Sequence, residues 1–267
     1  EKNLNYLYEA SVGGGIPIIR PLGSCLAANE ITEIYGILNG TTNYILTKMI
    51  KEGLSFDTAL KQAQEKGYAE ADPTADVEGF DACRKICILA SLSFGRHIYP
   101  AQVPTQGITG VTAQDVVLAE AAGMKIKLLG RAILQEDGKV VAYVAPHLIP
   151  EDQQLAGVED VFNGIVVRGD AIGDVMFYGR GAGKLPTASA VSADIIDAVK
   201  HKERRQNMDW APGGEDVVGS FADLPLRWYL RTQERDVRIG TVFGDVERVT
   251  AGTGETAVFT ELLTRRE

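Results

Sequence analysis

Between Gly67 and Lys85 the chain reads GYAEADPTADVEGFDACRK, which sets five carboxylates, Glu70, Asp72, Asp76, Glu78 and Asp81, ahead of one lysine. Asp81 and Lys85 are four residues apart, so on a helix they share a face with the acid on the N-terminal side, the favourable order. Such a cluster suits proton transfer to a carbonyl substrate. Hydride arrival leaves an alkoxide that a cation must stabilise and protonate, while neighbouring acids fix an amino group. The same residues also suit an exposed ion pair worth at most about 0.5 kcal/mol, with the other acids serving as helix N-terminal charges. A third reading is a divalent-metal hydrolase with Asp72, Asp76 and Asp81 as oxygen ligands.

Two glycine-rich loops offer backbone that a flat or charged ligand can approach closely. The segment YGRGAGK carries Gly179, Gly181 and Gly183. A P-loop would need glycine where Tyr178 stands and Ser or Thr where Leu185 stands, and the spacing also fails the dinucleotide fingerprint. Near the start, Glu9 precedes Gly13, Gly14 and Gly15. One carboxylate and the carbonyls of an irregular loop can hold a hard cation, although a plain turn with nothing bound is the commoner meaning of such a loop. His97, His147 and His201 have no partner at ligand spacing and read as structural or solvated. Cys83 and Cys87, one turn apart among apolar residues, read as core.

The elements that would carry these residues follow from periodicity. Residues 4–12 suggest a strand, and 16–28 a strand, glycine turn and helix. A strand is expected over 30–38, then Asn39-Gly40 as a turn, a helix capped by Thr41 or Thr42, and a second helix after Ser55. Apolar spacing over 79–94 predicts a helix with a buried stripe, and Thr112 starts another. Strands over 125–135 and 139–149 flank Asp137-Gly138, a hairpin signature. Short strands over 165–168 and 175–178 precede a helix over 186–202. Beyond a charged, Pro- and Gly-containing stretch, strands are expected over 226–232, 237–242 and 255–263.

The 267 residues provide one large or two moderate domains, with ordinary globular composition at 45 % hydrophobic and 24 % charged residues. A net charge of -9 speaks against nucleic acid or anionic lipid as partners, and no apolar run approaches the roughly 18 residues of a membrane span. Three cysteines build no even disulfide framework, which suits a reducing cytoplasm.

Four ordered motifs, YEASVGGGIPIIRPL, GILNGTTNYILTKM, GYAEADPTADVEGFDACRK and YGRGAGKLPTASAVSADI, together resemble homoserine dehydrogenase over about 190 residues, in its substrate-binding catalytic part. The resemblance implies an α+β fold, a mixed sheet covered by helices, and NAD(P)H-dependent interconversion of L-aspartate 4-semialdehyde and L-homoserine in threonine and methionine biosynthesis. It implies that Lys85 is the catalytic lysine and that Glu70, Asp76 and Asp81 bind substrate. Gly67, Gly181 and Gly183 would meet the cofactor, and Glu9, Val12, Gly14 and Ile16 a monovalent cation, usually sodium. Residues 1–202 would form the catalytic and dimerisation domain of a homodimer, 203–219 a linker, and 220–267 a small β-rich unit resembling an ACT domain, possibly degenerate. The family's N-terminal Rossmann domain has no counterpart in this sequence, so the chain alone is expected to be inactive. The alternative is a non-catalytic amino-acid-binding or assembly module.

Overall fold

The computed structural model describes residues 5–202, 210–233, 238–252 and 254–265. After a 3-10 turn at Glu9–Ser11 come α1 (Ile19–Gly23), β1 (Ile31–Ile37), α2 (Gly40–Glu52), α3 (Phe56–Glu65), α4 (Thr74–Val77) and α5 (Phe80–Phe94). Then follow α6 (Ala113–Ala121), β2 (Met124–Leu134), β3 (Val140–Pro150), β4 (Phe162–Gly169), β5 (Gly173–Arg180) and α7 (Lys184–Lys200). The C-terminal part holds β6 (Leu226–Thr232), α8 (Arg238–Phe243), β7 (Val246–Thr250) and β8 (Thr256–Leu263).

The main sheet has the order β3-β2-β1-β4-β5, and every pairing in it is antiparallel. The α+β class is as expected, but the mixed sheet narrows to an antiparallel one. Helices α2, α5 and α6 pack against the sheet, and Ile34, Ile45, Leu46, Ile86, Leu89 and Ile165 form the centre of this core, none exposed by more than a trace. On α5 the buried positions Ala82, Cys83, Ile86, Leu89 and Ala90 follow the helical period. Burying each large aliphatic there stabilises by about 1.5–3 kcal/mol, which fixes which face of α5 remains for Asp81 and Lys85. The opposite sheet face is covered in part by a 3-10 turn, with Leu155 and Val158 buried against Ile37, Leu129 and Val166.

Several local expectations give way to tertiary context. Residues 5–8 are irregular and lead into the 3-10 turn, so the described part of 4–12 is no strand; its apolar residues meet no neighbouring edge to pair with. Of the strand, turn and helix read over 16–28, only the five-residue α1 forms. Asn39, rather than Thr41 or Thr42, caps α2, accepting from the Thr42 amide at 2.9 Å. Helix α8 stands where a strand over 237–242 was expected, and the strand comes later as β7; a six-residue apolar run does not distinguish the two periods.

Of the expected linker over 203–219, residues 203–209 lie outside the described residues. The remainder is docked: Ala211 bridges to Arg96, Val218 to Val140, and the Trp210 indole donates to His97 Nδ1 at 2.6 Å. The C-terminal strands form a separate sheet, β6-β8-β7, that packs on α6 through Leu118, Ala257 and Phe259.

Candidate active site

The end of β1 and the starts of α2 and α5 converge on one cluster. The Asn39 side-chain amide donates to Asp76 Oδ1 at 2.7 Å and to Asp81 Oδ2 at 2.8 Å, while its carbonyl oxygen caps α2. Lys85 Nζ donates to the same Asp81 oxygen at 2.7 Å and to the Leu38 carbonyl at 3.0 Å. Two of its three N–H groups are thereby used, leaving one for a further acceptor. The Lys85 and Asp81 side chains are 20 % and 30 % exposed, so the pair sits in a recess, neither sealed in the core nor extended into water.

Each element holds its residue for a local reason. Gly79, at φ +81°, ends the turn after α4 and opens α5 two residues before Asp81. Asp72 accepts from the Thr74 amide at 3.1 Å and the Thr74 hydroxyl at 2.6 Å, which turns the chain into α4 and places Asp76. These bonds hold the Asp72 carboxyl below its ordinary range. Asp72 is thus committed to a turn, apart from Asp76 and Asp81. Among the described residues no three His, Cys, Asp or Glu side chains are grouped to hold a metal ion, so the hydrolase reading lacks its ligand set.

Glu70 is exposed, and its carboxylate takes no hydrogen bond among the described residues; its carbonyl accepts from Gln64 Nε2 at 3.1 Å. It stands outside the Asn39 network. Gly67, at φ +71°, follows α3, and the next residue is tied to α2 by a bond from Thr41 Oγ1 to the Tyr68 carbonyl, 2.7 Å long. The two remaining glycine loops touch. A Cβ on Gly14 would lie 2.3 Å from the Gly181 carbonyl oxygen, and one on Gly181 would lie 2.2 Å from Asn163 Cγ, so both positions require glycine. Asn163 is fully buried beside Gly181, and neither its amide nitrogen nor its oxygen has a hydrogen-bond partner among the described residues. An orphaned amide at a close-packed glycine corner fits a site completed by a polar group from elsewhere, as a cofactor contact would require. Gly183 opens α7 at φ +120°, a conformation reserved for glycine.

The cation set is altered in one respect. The Glu9 carboxylate accepts from the amides of Ile18, Ile19 and Arg20 at 2.6, 2.8 and 2.9 Å, so it caps α1 rather than facing the loop. The Arg20 guanidinium, bonded to Asp194 at 2.7 Å, stands 3.8 Å from it and would repel a cation. Among the described residues no hydrogen bond reaches the carbonyls of Val12, Gly14 or Ile16, so the loop fits a cation through main-chain oxygens only.

Sequence reasoning missed Asn39, Asn163, Arg20 and Asp194. Asn39 and Asn163 each precede a glycine, a pair whose local signal is a turn and carries nothing about distant partners. Asp194 on α7 accepts from the Glu9 amide across 185 residues, which no local pattern reveals.

A family model described as homoserine dehydrogenase matches residues 17–196. The chain belongs to the homoserine dehydrogenase family. A homoserine dehydrogenase of Synechocystis is 54 % identical over 196 residues, covering 72 % of this chain and 45 % of that protein. The Bacillus subtilis homoserine dehydrogenase is 42 % identical over 239 residues, covering 88 % and 55 % respectively. Among solved structures, a homoserine dehydrogenase from Thiobacillus denitrificans has a TM-score of 0.84 at 37 % identity, covering 97 % of this chain and 64 % of that one. A hyperthermophilic archaeal homoserine dehydrogenase in complex with NADPH has a TM-score of 0.61 at 32 % identity, covering 73 % and 55 %. The chain spans about half the length of the curated relatives it matches. No helix among the described residues is long and apolar enough to cross a membrane.

Proposed function

We propose that this chain supplies the substrate site and proton donor of a homoserine dehydrogenase, which interconverts L-aspartate 4-semialdehyde and L-homoserine with NAD(P)H. The observation that carries the reading is Lys85, held by Asp81 and the Leu38 carbonyl with one N–H remaining. A bound NAD(P)H supplies the hydride. Lys85 then directs its free N–H at the aldehyde oxygen and donates a proton as negative charge develops there. Asp81 keeps the ammonium oriented, and Asn39 keeps Asp81 in place. Glu70, Asp76 and Asp81 supply the negative charge that holds the substrate amino group. Gly67, Gly181 and Gly183 let the cofactor approach the backbone, and the carbonyls of Val12, Gly14 and Ile16 hold a sodium-like cation that stiffens the corner beside Gly181. Homodimerisation, a cytoplasmic setting, a catalytic part over 1–202 and an ACT-like C-terminal part belong to the same reading.

The test joins this chain, in trans or by fusion, to the nucleotide-binding half of the Bacillus subtilis relative. NADPH oxidation with aspartate semialdehyde is expected for the joined protein and not for the chain alone. Lys85→Ala is expected to lower kcat by about 10²–10⁴-fold, the usual range for a proton donor. Full activity in the Lys85→Ala protein would refute the assignment.

A further inference from the structure

Apart from the Lys85 cluster, a cavity of about 260 Å³ opens on the flank of α2, walled by Tyr44, Tyr68 and Phe162 and carrying Lys48, Lys66 and Arg180. Lys48 is already compensated: its ammonium lies 2.7 Å from Glu52 and 3.7 Å from Asp160, the single acid in the lining. Lys66 and Arg180 form no ion pair with a carboxylate among the described residues. Instead each rests on a ring, the Lys66 ammonium 5.6 Å from the Tyr44 centroid and the Arg180 guanidinium carbon 5.0 Å from that of Phe162. Such ring contacts hold a cation in place without neutralising it. Two uncompensated cations from separate elements, one after α3 and one at the end of β5, therefore face the same space.

We propose that this cavity binds a phosphate-class dianion, a pyrophosphate or a phosphate monoester. A single carboxylate would leave one of the two cations unanswered. A phosphate group matches both charges, and a guanidinium fork with an ammonium is a suitable donor set for it. The volume falls below the roughly 300–1,000 Å³ of pockets that enclose a whole drug-sized ligand, so the cavity takes a phosphate group and leaves the remainder of its carrier outside. Lys66 precedes Gly67 and Arg180 precedes Gly181, so a dinucleotide at those corners is one source of the group; a free phosphate compound is the other. The phosphate site rests on charge and shape and uses none of Glu70, Asp76, Asp81 and Lys85, so it stands or falls separately from the dehydrogenase reading; only the dinucleotide as its source rests on that reading.

Calorimetry on the 267-residue chain at low ionic strength tests it, with inorganic pyrophosphate, NADPH and L-homoserine as separate titrants. Pyrophosphate is expected to bind, with Lys66→Ala and Arg180→Ala each weakening it at least about tenfold, the scale of one charge-assisted hydrogen bond, and Lys85→Ala leaving it unchanged. NADPH binding that weakens in parallel identifies the dinucleotide as the source; pyrophosphate binding alone identifies a free phosphate compound. Silence of pyrophosphate and NADPH at millimolar concentration, or binding that survives the double variant, overturns the proposal. So does L-homoserine binding that depends on Lys66 and Arg180 while pyrophosphate is silent, since that would assign the cavity to a carboxylate.

Discussion

Asn39 joins two duties in one side chain, capping a helix with its oxygen and bridging two acids with its nitrogen. Two substitutions separate these contributions. Asn39→Ala is expected to lower stability by about 1 kcal/mol or more, since a cap is lost and two carboxylates are left facing each other. Asn39→Asp keeps the cap but sets a third carboxylate against Asp76 and Asp81, which raises carboxyl pKa values in the folded state. The folded variant then binds protons more readily than the unfolded chain, so its stability falls as pH rises through the carboxylate range. Urea unfolding from about pH 4 to 7 should show Asn39→Asp close to wild type at the acid end and well below it at neutral pH. A constant gap would refute this account.

At the scale of elements, Asn43 on α2 and Lys127 on β2 pin the irregular segment before β4. The Asn43 amide donates to the carbonyls of Val158, Asp160 and Phe162 at 3.2, 3.0 and 3.1 Å, and Lys127 Nζ donates to Val158 at 2.5 Å. Lys127 is 1 % exposed, and burial lowers its pKa from 10.5 to about 8. Below about pH 8 the lysine is charged in both states, and burying that charge opposes folding. Between about pH 8 and 10.5 the unfolded chain holds the proton that the folded one has released, so this penalty fades as pH rises. Relative to Lys127→Met, wild-type unfolding free energy should therefore increase by on the order of 2 kcal/mol across that window. Parallel pH profiles of the two proteins would show that the ammonium is hydrated after all.

For the molecule as a whole, the C-terminal sheet is tied to the main body through α6. Phe259 is 5 % exposed beside Leu118, the Tyr229 hydroxyl donates to Asp115 Oδ1 at 2.8 Å, and Arg231 Nη1 bonds Thr112 Oγ1 at 2.5 Å. Asp115 and Thr112 also form the capping box of α6, so the sheet grips the helix at its start. Phe259→Ala is expected to cost about 3–5 kcal/mol and to raise hydrogen exchange at the amides of α6, not only within the C-terminal strands. Unchanged exchange in α6 would mean that the C-terminal part is an independent appendage.

What the sequence determined by itself was whatever depends on neighbours within a turn or two. The stripe of α5, the Asp81 and Lys85 spacing, the Ser55 and Thr112 caps and the Asp137-Gly138 hairpin were all legible, because period and capping act over three to eleven residues. The motif order also carried the family. Tertiary structure decided the rest. Asn39 meets acids 37 and 42 residues away, and Glu9 meets Asp194 across 185, so their roles depend on which elements pack together. The Glu9 carboxylate turned to the α1 amides, residues 5–12 found no strand to pair with, and 238–243 coiled as a helix. In each case a backbone or charged group took the partner that the assembled fold placed within reach, and no local pattern encodes that distance.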